Sequence, residues 1–378
     1  MENGGRFRPG TFLTKAKTAY RESAPHLRRL LVTMDKQERG RERNMRFSLF
    51  YNCDITPGTS VRELYREIEA QAVLADQLGF DAIYLAEHHF EVYGRQPAPL
   101  ISLSRISGLT RRIGLGTAVV EAPYYQPLRL AEDAALLDVL SGGRVRLGIG
   151  SGARNKAAEF AKFGISIEEK TGRTLETIEI LRQAYDLGTV DFDGDYYRFT
   201  DVEICPRPFR NANDLIWLAA SDSTVELAGK HGYRLLVPRV GAAERHREWI
   251  DRYRAALQDR PGWVALLRFV YVAETARDAE EQTRRTFARY AQYDCGIAWD
   301  GRTGTREYRD LMKQMNMVIG SPDEVAEQLQ QWHDAFGFDE IICQVYAAGS
   351  EHAASLRAIE LLAREVMPRL QSAAAERR

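Results

Sequence analysis

The sequence predicts an α/β protein closed into a (β/α)8 TIM barrel. Three features lead there. Eight short runs rich in β-branched and aromatic residues recur along the chain, and helical apolar periodicity fills most of the intervals between them. The first four runs begin 31–35 residues apart, the length of one βα unit. The segment after the first run, Asn52-Cys53-Asp54-Ile55-Thr56-Pro57-Gly58, lacks the G-x-G-x-x-G turn of a doubly wound dinucleotide fold. Strands alternating with helices imply a parallel sheet, because a parallel neighbour is reached by a crossover. Eight such units favour closure into a barrel.

The strands are expected at 47–51, 82–88, 113–120, 145–150, 215–220, 234–237, 264–272 and 340–346. After the first, Val61, Leu64, Ile68, Ala72, Ala75 and Leu78 follow a 3.6-residue period, and Gly79 suits the position just past a helix end. A second helix is expected at 128–140, with Asp133 and Asp138 on its polar side and Ser141-Gly142-Gly143 stopping it. Helices at 175–185, 225–230, 325–336 and 353–366 continue the alternation. Two longer intervals, 151–213 and 274–339, read as insertions after strands four and seven, on the catalytic face of a barrel. The second holds Tyr293-Asp294-Cys295-Gly296 and Gly301-Arg302-Thr303-Gly304, a composition that suits a mobile lid or an ordinary surface excursion.

Composition narrows the function classes. Hydrophobic residues make up 44% and charged residues 28%, ordinary for a globular chain that can bury a sizeable core. No apolar run approaches the ~18 residues of a membrane span. The 52 basic and 53 acidic residues nearly cancel, but unevenly: residues 1–44 carry +6 and residues 45–378 carry −7. A body of that sign has no footprint for nucleic acid. Four cysteines, Cys53, Cys205, Cys295 and Cys343, lie far apart without a CxxC, which suits a reducing cytoplasm and indicates neither a disulfide framework nor a zinc cluster. Residues 1–44 are polar and Arg-rich, and their apolar knot, Leu30-Leu31-Val32, is too short for a signal-peptide core. They are expected to be a disordered leader, or sequence upstream of a start at Met45, with the barrel domain occupying 45–378.

Chemistry is expected first at Leu85-Ala86-Glu87-His88-His89-Phe90, at the C-terminal end of the second strand. Alternation puts Tyr84, Ala86 and His88 on one side and Ile83 and Leu85 on the other. His88 would then face the barrel mouth, where an imidazole can exchange protons near neutral pH. A metal site is disfavoured: strand neighbours face opposite ways, and no other His or Cys ends a predicted strand. Gly148-Ile149-Gly150-Ser151-Gly152 after strand four is neither a nucleophile elbow nor a Walker loop. It allows close approach of a ligand, with Arg154 and Lys156 nearby for anionic groups. Leu218-Ala219-Ala220-Ser221-Asp222-Ser223-Thr224 runs from a strand into a helix; these are helix-capping residue types, and they equally suit a phosphate, provided that Asp222 points outward.

These segments, in their order, resemble the bacterial luciferase-like monooxygenase family from about Met45 to Leu370. The resemblance is carried by Ala86-Glu87-His88-His89-Phe90; by Gly114-Leu115-Gly116-Thr117-Ala118-Val119-Val120; and by Gln126-Pro127-Leu128-Arg129-Leu130-Ala131-Glu132-Asp133. Leu136-Leu137-Asp138, Ser141-Gly142-Gly143-Arg144 and Leu147-Gly148-Ile149-Gly150 follow. Pro206-Arg207-Pro208, the Ala219–Thr224 turn, Ile319-Gly320-Ser321-Pro322-Asp323-Glu324-Val325 and Val366-Met367-Pro368 complete the series.

The resemblance implies a barrel that binds flavin at its C-terminal mouth, usually as a dimer. It implies His88 as the catalytic histidine, with Glu87 and His89 lining the same site, and a non-prolyl cis peptide at Ala118–Val119 beneath the flavin ring. Ala220, Ser221 and Thr224 would hold the flavin phosphate. Ser151 stands where luciferase itself has a phosphate-binding arginine, a role Arg154 could take, and Gly150 stands where luciferase has a reactive cysteine; light emission on long aldehydes is therefore not implied. The Glu-His-His-Phe form looks like the branch that uses reduced FMN (FMNH2), supplied by a separate flavin reductase, and O2 to oxygenate a small organic molecule. The alternatives are a deazaflavin (F420)-dependent oxidoreductase and a non-catalytic flavin-binding partner subunit.

Overall fold

The computed structural model describes residues 45–370 except 56–57, 91–93, 154, 296–301, 303–304 and 348. All eight expected strands are present: β1 Arg46–Tyr51, β2 Ala82–Leu85, β3 Gly114–Thr117, β4 Val145–Gly150, β5 Ile216–Ala219, β6 Arg234–Val237, β7 Val264–Val272 and β8 Glu340–Gln344. Each pairs in parallel with the next, and β8 pairs with β1, so the sheet closes on itself. The barrel helices are α1 Val61–Leu78, α2 Pro99–Leu109, α3 Pro127–Ser141, α4 Lys170–Arg182, α5 Val225–His231, α6 Ala243–Leu257, α7 Pro322–Phe336 and α8 His352–Leu361. None of the described helices is long and apolar enough to cross a membrane.

Local chemistry sets the element ends. The Ser60 hydroxyl accepts from the Glu63 N–H at 3.2 Å, and the Glu63 carboxylate accepts from the Ser60 N–H at 2.8 Å, a capping box that starts α1. Gly79, at φ 88°, ends α1 in the left-handed conformation that glycine adopts without a Cβ penalty. Between β4 and β5 lie a short helix, Ala157–Lys162, then α4, then an antiparallel hairpin of Thr189–Asp193 with Arg198–Glu203. Between β7 and β8 lie the helices Ala276–Cys295 and Arg306–Gln314 and a strand, Val318–Gly320, that pairs in parallel with the end of β7. The Gly301-Arg302-Thr303-Gly304 stretch falls almost wholly outside the described residues.

Two layers of side chains follow from strand alternation. Ile83, Leu85, Leu115, Leu147 and Ile149 pack outward into the main core shared with the helices. Phe50, Ala82, Tyr84, Ala86, Trp217, Leu236, Leu267 and Ile342 fill the barrel interior. The alternation expected for strand two is therefore the observed one.

A polar plug closes the N-terminal end of the barrel. Glu340, at the start of β8, is fully buried and accepts from the Ser48 and Tyr84 hydroxyls, from Trp263 Nε1 at 3.1 Å and from Arg146 Nη1 at 2.8 and 3.0 Å. Arg146 lies over the Trp217 ring, and Arg234 lies over both Trp217 and Trp263. Burial disfavours the Arg146 charge, but Glu340, Tyr84 and Asp81 together outweigh that and hold its pKa above the ordinary arginine value.

Two expectations are corrected. Asp138 is not on a polar face: it is fully buried and accepts from Arg210 Nη2 at 2.7 Å and from the Phe209 N–H at 3.0 Å, because the segment around 206–210 covers the end of α3. Strand three is not continuous to Val120. It breaks at Ala118–Val119, whose peptide bond is cis, and resumes as Val120–Glu121 against Ile149 and Gly150 of β4. The glycines of β4 make room for this step. A Cβ on Gly148 would lie 1.9 Å from the Thr117 carbonyl oxygen, and one on Gly150 would lie 2.4 Å from Val119 Cγ2.

Candidate active site

At the mouth, β2 ends at Leu85 rather than at 88 as expected, leaving Ala86 and Glu87 between the strand and His88. The His88 N–H donates to the Gln96 carbonyl at 2.9 Å, and the Arg95 N–H donates to the Cys53 carbonyl, which ties the loop after β2 to the loop after β1. Gly94 packs directly on the imidazole; a Cβ there would lie 2.2 Å from His88 Cδ2. On its other side, His88 Nε2 is 2.9 Å from Asn52 Oδ1, the first residue past β1. An amide oxygen only accepts, so Nε2 carries the proton and Nδ1 is the basic nitrogen of the neutral ring. Burial, then the charges of Lys156, Arg239 and His89, pull the His88 pKa down to about 3. His88 is thus a neutral imidazole at physiological pH.

The neighbouring wall is acidic. Glu87 is buried; one of its oxygens accepts from His89 Nε2 at 2.6 Å, the other from the Tyr125 hydroxyl at 2.9 Å and the Glu121 N–H at 3.2 Å. Glu121 and Glu159 are buried as well, and each puts one oxygen on Lys156 Nζ, at 2.8 and 3.1 Å. Burial raises the pKa of both Glu87 and Glu121, against the pull of His89 on the first and Lys156 on the second. Burial works against the charge on Lys156, yet Glu121 and Glu159 together hold its pKa above the ordinary lysine value. The Lys156 ammonium, expected to serve anionic groups, already sits between two carboxylates.

These groups enclose a cavity of about 430 Å³, within the size range of small-molecule and cofactor sites. Its apolar side is Phe50, Ala86, Ala118 and Val119; its polar side includes Asn52, Glu87, His88, His89, Glu121, Lys156, Glu159 and Arg239. Five expected residues, Glu87, His88, His89, Ala118 and Val119, therefore meet on one cavity. Ser151, Ala220, Ser221 and Thr224 follow β4 and β5 at the same end of the barrel but do not line it. Arg154 lies outside the described residues. Among the described residues no cluster of three or more His, Cys, Asp or Glu side chains is arranged to hold a metal ion.

In the turn after β5, the Thr224 hydroxyl donates to the Ala219 carbonyl at 2.6 Å and lies 2.8 Å from Ser221 Oγ. Thr224 makes no side-chain cap bond to α5, so the capping explanation of these residue types is not the one the fold uses. Asp222 points outward, as a phosphate reading requires: it accepts from Trp249 Nε1 and from Arg245 and Arg252 of α6, which pull its pKa down to about 2.

The family model for luciferase-like monooxygenases matches residues 45–339. The chain belongs to the luciferase-like monooxygenase family. Among characterised relatives, it is 26% identical over 359 residues to the oxygenase component of the flavin-dependent trigonelline monooxygenase of Acinetobacter baylyi, a match covering 88% of this chain and 98% of that one. Among solved structures, monooxygenase RslO1 from Streptomyces bottropensis superposes with a TM-score of 0.79 at 26% identity, covering 86% of this chain and 99% of that one. The FMN complex of the oxygenating constituent of 3,6-diketocamphane monooxygenase from Pseudomonas putida, a type II Baeyer–Villiger monooxygenase, shares the fold with a TM-score of 0.71 at 20% identity, covering 86% and 98%.

The cavity of this luciferase-like chain fits a flavin on its own chemistry. A planar aromatic ring system needs a flat apolar surface, and Ala118 and Val119 present one, open to the mouth. The ring's carbonyl edge needs donors; Asn52 Nδ2 is buried on the cavity wall with no hydrogen-bond partner. Reading the sequence did not single out Asn52, Glu121, Glu159 or Arg239. Asn52 and Arg239 closely follow strand ends, a position that marks the mouth of a barrel. Glu121 and Glu159 carry no motif.

Proposed function

We propose that this chain is the oxygenase component of a two-component monooxygenase that receives FMNH2 from a separate reductase and oxygenates a small organic substrate. The observation that supports this most is the neutral His88 imidazole, held between Asn52 and Gly94 next to the apolar Ala118–Val119 step. Reduced FMN, when bound, supplies the two electrons with which O2 gives one oxygen atom to the substrate and the other to water. Ala118 and Val119 would carry the ring, and the unsatisfied Asn52 amide would meet its acceptor edge. Ser221 and Thr224, with Ala220, Ser151 and Arg154, would hold the phosphate. His88 would hold a proton at Nε2 toward Asn52 and accept one at Nδ1. Closure of the cavity around Glu87, His89 and Tyr125 would keep bulk water from the reacting groups.

The family's usual dimer would draw on exposed apolar side chains of the adjacent helices α2 and α3, where Ile101 is 73% and Leu140 64% exposed. The test is an anaerobic titration with FMNH2 and with reduced F420, followed by oxygen-uptake measurements with an FMN reductase across a substrate panel. Preference for FMNH2 and a loss of about 10²–10⁴-fold in turnover for His88→Ala are expected. Preferred binding of F420 would move the chain to hydride transfer, and a fully active His88→Ala would remove His88 from the mechanism.

A further inference from the structure

We infer that the floor of the barrel, at the end opposite the mouth, holds a binding site for a small monocarboxylate, received by Arg234 and Arg260. A cavity of about 200 Å³ opens there, among the residues that lead into β5, β6 and β7. Arg234, Arg260, Asn213, Asp214, Gly232 and Trp263 border it. That volume lies below the range of drug-sized ligands and suits an ion of a few heavy atoms.

The central side chain is Arg234. As the first residue of β6 it shares a strand face with Leu236, which fills the barrel interior, so it points into the floor. Its guanidinium sits over the corner of an edge-to-face ring pair, 5.1 Å from the centroids of both Trp217 and Trp263. Ring faces attract a cation, but they occupy none of its five in-plane N–H donors. Among the described residues Arg234 has no hydrogen bond and no carboxylate within ion-pair distance, and its nitrogens are not sealed away from the cavity. Burial first, then the Arg146 charge, hold its pKa below the ordinary arginine value, and Asp214 and Glu340 offset them only in part. Arg146 lies 5.2 Å from the same Trp217 ring. Two guanidiniums thus share one indole, and Glu340 hydrogen-bonds to only one of them. A carboxylate entering the cavity would give the second its missing partner, in the bidentate geometry that a guanidinium matches best. Arg260 adds donors at the rim, where its contact within the chain is a long one, 3.4 Å to the Leu257 carbonyl. Asp214 sets the charge of the ligand: two arginines against one carboxylate leave a single positive charge, which a monoanion cancels and a dianion overshoots.

The test is calorimetric titration of the full-length chain with acetate, at an ionic strength held constant with chloride, beside inorganic phosphate at a mildly alkaline pH that keeps it dianionic. Acetate should bind about tenfold or more tighter than phosphate, and Arg234→Gln should cost about tenfold in its affinity, Arg260→Gln less. Asp214→Asn, which removes the opposing charge, should tighten acetate binding and admit phosphate. A gain from one substitution and losses from its neighbours cannot come from general damage to the fold. Acetate should also bind undiminished under anaerobic conditions with FMNH2 present, because floor and mouth lie at opposite ends of the strands. Acetate heats no larger than those of added chloride, unchanged affinity in Arg234→Gln, or displacement of acetate by FMNH2 would overturn the inference. If Arg234→Gln does not fold, unchanged affinity in Asp214→Asn overturns it alone.

Discussion

Glu340→Gln isolates the polar plug at the barrel floor. The substitution keeps the shape of the side chain but removes a charge that receives Ser48, Tyr84, Trp263 and two contacts from Arg146. It also turns one acceptor into an NH2 that faces donors. Arg146 would keep only the Tyr84 hydroxyl at 3.0 Å and the Asp81 carbonyl at 3.4 Å, with the Arg234 guanidinium on the same Trp217 ring. Breaking a buried ion pair from one side costs about 3–5 kcal/mol, since the surviving charge is left uncompensated. At this chain size each kcal/mol moves Tm by about 1.3 °C, so a fall of about 4–7 °C is expected. Thermal unfolding followed by circular dichroism measures it, with urea midpoints as a check. The double variant Glu340→Gln/Arg146→Met, which removes both charges, should recover part of the loss. A shift under about 1 °C for Glu340→Gln, below the cost of one kcal/mol, or a double variant worse than the sum of the singles, would refute the account of the plug.

Three further outcomes are expected. His88 titrates at about 3 in the fold against 6.5 in a free chain, so between those values the unfolded chain binds the extra proton and stability falls as pH drops, by up to about 1.4 kcal/mol per unit. His88→Gln should flatten that acid limb in urea midpoints, while His246, pulled down to about 4 by burial and Arg268, keeps its own contribution of the same sign in both proteins; identical slopes would show that His88 is not buried neutral. Gly148→Ala should destabilise by about 1–3 kcal/mol and weaken FMNH2 binding, because its Cβ would press on the backbone that leads into the cis step. Gly108→Ala, open to space within α2, is the control and should be neutral or slightly stabilising. Finally, deleting residues 1–44 should leave folding and oxygen uptake intact; insoluble or inactive protein from residue 45 onward would show that the leader belongs to the working domain.

The barrel was legible because its strands are concentrated in β-branched and aromatic runs, and His88 because an ionisable residue ended one of them. Helix α2 was not. Leu100, Ile101, Leu103, Ile106 and Leu109 are spread around it, so no single stripe emerges, and Ile101 in fact faces solvent. Asp138 misled for the opposite reason: a carboxylate late in a helix suggests solvent, and only the distant segment bearing Phe209 and Arg210 explains its burial. A period-two reading of 113–120 as one strand also passes over the break before Val120, after which a second short strand carries Glu121 to the cavity wall. Glu159 sits in a six-residue helix with no pattern of its own, and its meaning comes from Lys156 and Tyr124, which tertiary structure brings to it.

Apart from Arg239, every residue around the cavity falls between Phe50 and Lys162, less than a third of the chain. Arg239 and the phosphate turn after β5 apart, the chemical surface is thus written in one uninterrupted stretch, the units of β1 to β4. A single crossover on either side could transplant that surface from one family member into another. The seams of such a chimera would be the β8–β1 and β4–β5 pairings, and the side chains to match across them are Ser48 and Arg146 on one side and Glu340 on the other. Specificity can then travel as a cassette, provided that the floor of the barrel is kept in register.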